Sequence, residues 1–212
     1  MNPSISNPMP NEPIDWDERY RQGTPPWDVG RPSPELVRLI DERIVPRGSA
    51  IDLGCGTGAD SVFLAKRGFD VTAVDVSPIA IERARSRAEQ HDALIRFVLA
   101  DALKFGQTAG TFDFVYDRGF YHAIRQTNIT GFLDMLWRIT RPGTIYLSLS
   151  GAPRDDDGDD GPPQVTEAQI RNELGRLFEI VELRPIRTEA LTRPEGYPGW
   201  SCLMRRPVLK SK

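Results

Sequence analysis

The sequence predicts an α/β fold, helices packed on a mostly parallel sheet, and three observations carry that expectation. From Ser33 onward, short apolar runs alternate with stretches of helical periodicity, the pattern of crossover helices joining parallel strands. The first run ends in the glycine-rich stretch Gly54-Cys55-Gly56-Thr57-Gly58, just before a helical pattern begins. The length, 212 residues, falls within the usual range for one domain and suffices for a continuous core without disulfides or structural metal.

Prolines at 3, 8, 10 and 13, with Asn and Ser between them, leave too little apolar surface to offset ordering, so residues 1–13 are expected to form a disordered tail and residues 14–212 a single domain. Ser33-Pro34 is an N-cap and first-turn pair ahead of Leu36, Val37, Ile40 and Ile44, one apolar helical face. Ala50 to Leu53 reads as the first strand, followed by a helix through Val62, Phe63 and Leu64 to Gly68. Val71 to Val74 is the second strand, and Ser77-Pro78 caps a helix in which Ala80, Ala84 and Ala88 recur at helical spacing. Ile95 to Leu99 supplies the third strand and Phe112 to Tyr116 the fourth. A helix with Ile129, Phe132, Leu133 and Leu136 on one side follows, ended by Arg141-Pro142-Gly143. Ile145 to Leu149 is the fifth strand. Thr166 and Gln169 form a capping box for a helix carrying Ile170, Leu174 and Leu177, and apolar runs near Ile180 and Cys202 close the sheet. Between those runs, Thr188 to Gly199 reads as an irregular Pro/Gly-rich connection placed to cover a substrate pocket.

A formal net charge of -3 with 27% charged residues provides no excess of positive charge for a polyphosphate backbone, so nucleic acid is not an expected partner. Two cysteines, Cys55 and Cys202, are too few for a disulfide framework and lack metal-ligand spacing, which fits a reducing cytoplasm. The N-terminus has no basic and apolar leader, and no stretch approaches the roughly 20 apolar residues that a bilayer requires. Gly151 to Pro163 contains five aspartates, Asp155, Asp156, Asp157, Asp159 and Asp160. A calcium loop counted from Asp155 needs a glycine and a glutamate where Asp160 and Thr166 stand, so a solvated loop and no metal are expected. The basic residues Arg205, Arg206, Lys210 and Lys212 read as solvated charge.

The chemistry concentrates at strand ends. Side chains at Gly54 or Gly56 would fill the space where a nucleoside and its tail rest against the loop, and Cys55 reads as a small filler with no activating neighbour. The spacing G-x-G-x-G differs from the dinucleotide fingerprint G-x-G-x-x-G, and Asp52 just before it would repel a pyrophosphate. A cationic amino-acid tail would be attracted. Asp75 ends the second strand 17 residues after Gly58, where a carboxylate can accept both hydroxyls of a ribose. Asp101 follows the third strand, placed to accept from an adenine amino group, and Asp117 ends the fourth.

These motifs, AIDLGCGTG, VTAVD and RFVLAD, resemble those of the class I S-adenosylmethionine-dependent methyltransferases. The N-terminal segments Asp15-Trp16-Asp17-Glu18-Arg19-Tyr20 and Thr24 to Arg31, with FDFVYDRGFYH over 112–122, look like the thiopurine and halide/thiol group of that family. The resemblance implies a Rossmann-like, doubly wound, mostly parallel seven-stranded sheet, a cofactor lid over about 14–32, and cofactor contacts at Gly54, Asp75, Asp101 and Asp117. Three tryptophans of the plant branch match Trp16, Tyr20 and Trp27 by spacing, with Tyr20 a departure. S-adenosylmethionine carries an ammonium and a sulfonium but no phosphate, so acids around the loop, Asp52 included, match its charge. Aromatic faces stabilise a sulfonium and exclude water from it.

The implied activity is methyl transfer to a small molecule, a thiol, halide or thiopurine-like acceptor or else a phenol or amine, by in-line displacement. Iodide or a thiolate needs no base, whereas a phenol or amine does. His122 is the histidine placed to serve, with Asp117 and Tyr121 as neighbours, and Arg118 is placed to steer an anionic acceptor. A monomer or weak homodimer is expected. Two other readings stay open: an NAD-dependent oxidoreductase, and a non-catalytic sensor that binds the cofactor without turnover.

Overall fold

The computed structural model describes residues 15–155 and 161–208. The expected tail over 1–13, Asp156 to Asp160 of the acidic loop, Lys210 and Lys212 lie outside the described residues. In chain order the elements are α1 (Trp16–Arg21), α2 (Pro34–Asp41), β1 (Ser49–Leu53), α3 (Ala59–Lys66), β2 (Asp70–Asp75), α4 (Pro78–Gln90), β3 (Ile95–Leu99) and α5 (Ala102–Phe105). They continue with β4 (Phe112–Arg118), α6 (Phe120–Ile139), β5 (Thr140–Gly151), α7 (Glu167–Glu173), β6 (Glu179–Ala190) and β7 (Arg193–Arg205).

The seven strands form one sheet in the order β3-β2-β1-β4-β5-β7-β6. The first five run parallel, β7 is antiparallel to β5, and β6 is antiparallel to β7. The chain winds outward from β1 to β3 and then returns to β4 on the other side, so the strand order reverses between β1 and β4. Such a switch point opens a crevice at the carboxyl ends of the strands.

Adjacent residues on each strand face opposite layers, as the two-residue period requires. Ile51, Leu53, Val115 and Tyr146 pack with Tyr121, Phe132 and Leu136 of α6 and Ile170 of α7. Ala50, Val71, Phe114 and Leu147 pack with Leu36 and Leu39 of α2 and Leu64 of α3. Burial on both faces explains why the strands read as unbroken apolar runs. Leu39 is fully buried, and truncating such a residue to alanine costs about 2–5 kcal/mol.

The expected caps form. Ser33 accepts from the Glu35 N–H, Ser77 accepts from the Ala80 N–H, and Thr166 and Gln169 make a complete capping box. Four expectations need correction. Ile44 lies beyond α2 and is 37% exposed, because the chain leaves the helix through Arg43 at a left-handed φ of 58°. The helix after β4 begins at Phe120, so His122 is in its first turn. It breaks at Asn128 (φ -153°), whose Oδ1 accepts from the Gly131 N–H at 2.8 Å and caps the second half. Pro142 and Gly143 fall inside an irregular start of β5, where the pairing with β4 shifts register between Phe112 and Phe114.

Finally, Thr188 to Gly199 is no irregular loop. β6 and β7 pair from Glu179 and Arg205 out to Ala190 and Arg193, a ribbon turning through Leu191-Thr192. Pairing of β7 with β5 stops at Gly151 and Gly199, so the ribbon tip projects past the sheet with one side unpaired. Pro194 is tolerated there because no ladder needs its missing N–H.

Candidate active site

At the end of β1 the chain doubles back, with Gly54 and Cys55 N–H both donating to the Val74 carbonyl at 2.8 and 3.0 Å. The turn needs φ of +68° at Gly54 and +53° at Gly56, where side chains are strained. Space is also short. A Cβ at Gly54 would stand 3.1 Å from the Phe120 ring, and one at Gly56 would stand 2.7 Å from Tyr20 Oη.

Four acids gather at the carboxyl ends of adjacent strands. Asp75 is held by backbone, its Oδ2 accepting from Gly56 N–H at 2.8 Å and its Oδ1 from Ser77 N–H at 2.9 Å. Each oxygen keeps a lone pair, enough for two hydroxyls. Burial pushes its pKa up, opposed by those backbone donors. Asp101 caps α5 by accepting from Leu103 N–H through Oδ1 at 2.9 Å, and it remains half-buried. Asp52 is sealed from solvent and accepts from Ser61 Oγ at 2.5 Å. Burial first, then the charge of Asp60, pushes its pKa up to about 8. Asp117 is wholly buried, with Oδ1 accepting from Tyr121 N–H at 3.0 Å and Oδ2 from Tyr146 Oη at 2.6 Å. Burial pushes its pKa up to about 6. The crowding of carboxylates in low dielectric favours a bound cation.

Over the loop, the three aromatic residues at 16, 20 and 27 come together. Trp27 packs edge-on against Trp16 at 5.7 Å and Tyr20 at 6.4 Å between ring centres, and Trp27 Nε1 donates to Tyr20 Oη at 3.4 Å. The segment is clasped from α4. Arg83 donates to the Tyr20 and Gly23 carbonyls at 2.8 and 2.9 Å, and Arg87 donates to the Gly30 and Thr57 carbonyls at 2.8 and 2.9 Å. Asp17 accepts from Ser77 Oγ at 2.7 Å and Ile79 N–H at 3.2 Å, and Thr57 Oγ1 meets Asp28 Oδ1 at 2.9 Å. The other end reaches the ribbon, where Leu191 N–H donates to the Pro26 carbonyl at 2.8 Å and Arg31 pairs with Glu189 at 2.6 Å. Sequence reasoning missed this clasp. Its available signal was Arg83 and Arg87 at helical spacing on one face of α4.

The other half of the crevice lies beyond β4 and β5. Gly119 N–H donates to the Leu149 carbonyl, after which β4 turns into α6 while β5 continues. Gly151, which also forms a parallel bridge with Gln164 on that side, donates its N–H to His122 Nδ1 at 3.0 Å. Burial lowers the His122 pKa to about 4. Arg118 has only long contacts, at 3.5 Å to both Asp60 Oδ2 and the Arg31 carbonyl. Tyr116 Oη and Glu189 Oε2 are buried without hydrogen-bond partners. A cavity of about 320 Å³ opens between residues 29–31 and the ribbon, lined by Val29, Arg31, Glu189 and Leu191.

The two groups expected to do proton chemistry, His122 and Asp117, are both tied by hydrogen bonds. Asp117 has no exposed surface, its oxygens accepting from Tyr121 N–H at the start of α6 and from Tyr146 Oη, and the Nδ1 lone pair of His122 is occupied by Gly151 N–H. Cys55 fits the filler reading, since burial holds its thiol well above the usual range.

A doubly wound sheet with acids and an aromatic cover at its switch point defines a Rossmann-like enzyme for a cationic nucleoside, the class I S-adenosylmethionine-dependent architecture. The glycine cradle, the spare lone pairs of Asp75 and the exposed apolar Val76 beside it, 52% accessible, fit that cofactor. The family described as "Methyltransferase domain" matches residues 50–143. The chain is 30% identical over 171 residues to 2-heptyl-1-hydroxyquinolin-4(1H)-one methyltransferase of Mycobacteroides abscessus, covering 78% of this chain and 74% of that protein. It is 26% identical over 170 residues to probable thiol methyltransferase 2 of Arabidopsis thaliana, covering 79% and 75%. A structure described under "Conversion of a Disulfide Bond into a Thioacetal Group during Echinomycin Biosynthesis" superposes with a TM-score of 0.78 at 27% identity, covering 90% of this chain and 91% of that one. The chain belongs to the S-adenosylmethionine-dependent methyltransferases and acts on a small molecule.

Proposed function

We propose that this methyltransferase alkylates a small acceptor that arrives already as an anion: a thiolate, a comparable soft anion, or a hydroxyl acidic enough to ionise near neutral pH. One observation carries the reading. Among the described residues, Asp52 and Asp117, the acids pushed toward neutrality, are sealed from solvent, and His122 Nδ1 already accepts from Gly151 N–H, so a phenol or amine that keeps its proton finds none of the three available as a base. Two relatives fit the same chemistry, one named for thiols and one for a 1-hydroxyquinolinone.

S-adenosylmethionine supplies a methyl group activated on a sulfonium, and with an anionic acceptor no proton moves. The protein's task is then to orient and to exclude water. In this reading Asp75 accepts the ribose hydroxyls, Asp101 Oδ2 accepts from the adenine amino group, and Val76 provides an apolar face for the base. Gly54 and Gly56 allow close approach of the nucleoside and its tail, and Trp16, Tyr20 and Trp27 screen the sulfonium. Asp52 and Asp117 lie behind the loop, where the bound cation draws both toward their charged forms and they act on it through their field. Arg118, with most of its donors unspent, draws the acceptor's negative charge.

The test is transfer of labelled methyl to a panel of small thiols, iodide, thiocyanate, an N-hydroxy heterocycle, phenols and amines. Turnover on the acidic members, with kcat/KM following the acceptor's own ionisation, supports the proposal. Turnover confined to amines or weakly acidic phenols overturns it. Cofactor binding with no turnover on any member would favour the sensor.

A further inference from the structure

We propose that His122 is a positioning residue for the acceptor, acting as a neutral hydrogen-bond donor through Nε2–H. The inference rests on the anionic-acceptor reading and names the group that receives the anion. Gly151 N–H can donate only to an imidazole nitrogen that carries a lone pair, and it meets Nδ1 at 3.0 Å. A neutral imidazole has one such nitrogen and one N–H, so the proton resides on Nε2. The tautomer is therefore set by the backbone of β5.

Nε2 lies beside the turn from β4 into α6, 3.3 Å from where a Cβ on Gly119 would stand. The next residue, Phe120, packs on Gly54 of the cofactor loop. Among the described residues Nε2 has no hydrogen-bond partner, although the ring is half-buried. A donor in that setting, unspent and partly desolvated, gains most from an anion. The ring also stays neutral in the working range, because burial is the single cause acting on its pKa and no charged side chain contributes.

A donor held against the acceptor favours its deprotonated form in the complex. His122→Phe should therefore move the acidic limb of the kcat–pH profile upward by about one pH unit, the size expected for one hydrogen bond to a charged group. The limb of kcat/KM, set by the free acceptor, should stay in place. His122→Gln, whose amide can accept from Gly151 and still donate, should restore the wild-type limb. A purely structural role would change Tm or KM without moving that limb. Nitrogen-15 spectra of the imidazole read the tautomer with no acceptor present, and protonated Nε2 with bare Nδ1 is the expected result.

A bare Nε2, or a kcat limb indifferent to His122→Phe, overturns the proposal. So does a limb at the ring's own pKa that vanishes in the variant, which would make His122 a base. The spectra judge the tautomer and the acceptor panel judges the anion reading, so either can fail without the other.

Discussion

The two halves of the crevice lie on neighbouring strand ends yet are built by opposite means. On the cofactor half, Asp75 is held by two backbone N–H groups, the glycine turn is tied to β2, and the covering segment is clasped by Arg83 and Arg87. On the half proposed for the acceptor, Arg118 makes only contacts at 3.5 Å, Glu189 Oε2 has no partner, and His122 Nε2 has no hydrogen-bond partner among the described residues. The difference teaches a division of labour. A ligand common to a whole family can be bound by main-chain geometry that any suitable sequence reproduces. A particular acceptor must be met by side chains whose hydrogen-bonding capacity is left open.

The comparison breaks most sharply at Gly56. Gly56→Ala adds left-handed strain of about 1–2 kcal/mol and drives a methyl into Tyr20 Oη, so cofactor affinity measured by calorimetry should fall well over tenfold. Retained affinity would mean that the aromatic cover adjusts freely. Arg118→Gln tests the other half: KM for an anionic acceptor should rise about tenfold, the value of one charge-assisted hydrogen bond, with KM for S-adenosylmethionine unchanged. A matched rise in both would move Arg118 to the cofactor half.

A smaller effect belongs to the clasp. Arg87→Ala removes donors to Gly30 and Thr57 while leaving the acids in place, and should weaken the cofactor by a few-fold, read as faster release of the demethylated product in stopped flow. The pH dependence of stability separates the halves in another way. His122 is held at about 4 against an ordinary 6.5, so the unfolded chain takes up a proton first as pH falls through that window, and the folded state loses stability. His122→Phe removes that loss, and its Tm relative to wild type should climb as pH drops from about 6.5 to about 4. Asp117, raised to about 6, acts with the opposite sign in both proteins and cancels in the difference. The smallest expectation concerns Cys55: its raised pKa predicts negligible reaction with a thiol reagent at neutral pH.

Residues whose role is local were legible in the chain. Ser33, Ser77 and the Thr166–Gln169 pair cap the helices as expected, because a cap depends on atoms three residues apart. Gly54, Gly56, Asp75 and Asp101 could be placed because a strand followed by a glycine turn fixes where its end points. The ribbon over Thr188 to Gly199 was misread because Pro and Gly usually end strands, whereas here one side of the ribbon needs no ladder.

By itself, then, the sequence determined the fold class, the glycine turn and the acids at the strand ends, since each follows from periodicity or from a short motif, and the family resemblance singled out the aromatic positions at 16, 20 and 27. Only the tertiary structure decided which groups His122 and Asp117 meet. They meet Gly151 and Tyr146, residues 29 positions away in both cases, and a hydrogen bond across that separation exists only once β4, β5 and α6 have packed. The tautomer proposed for His122 depends on a strand that runs two residues further than its neighbour, and no local pattern encodes that length.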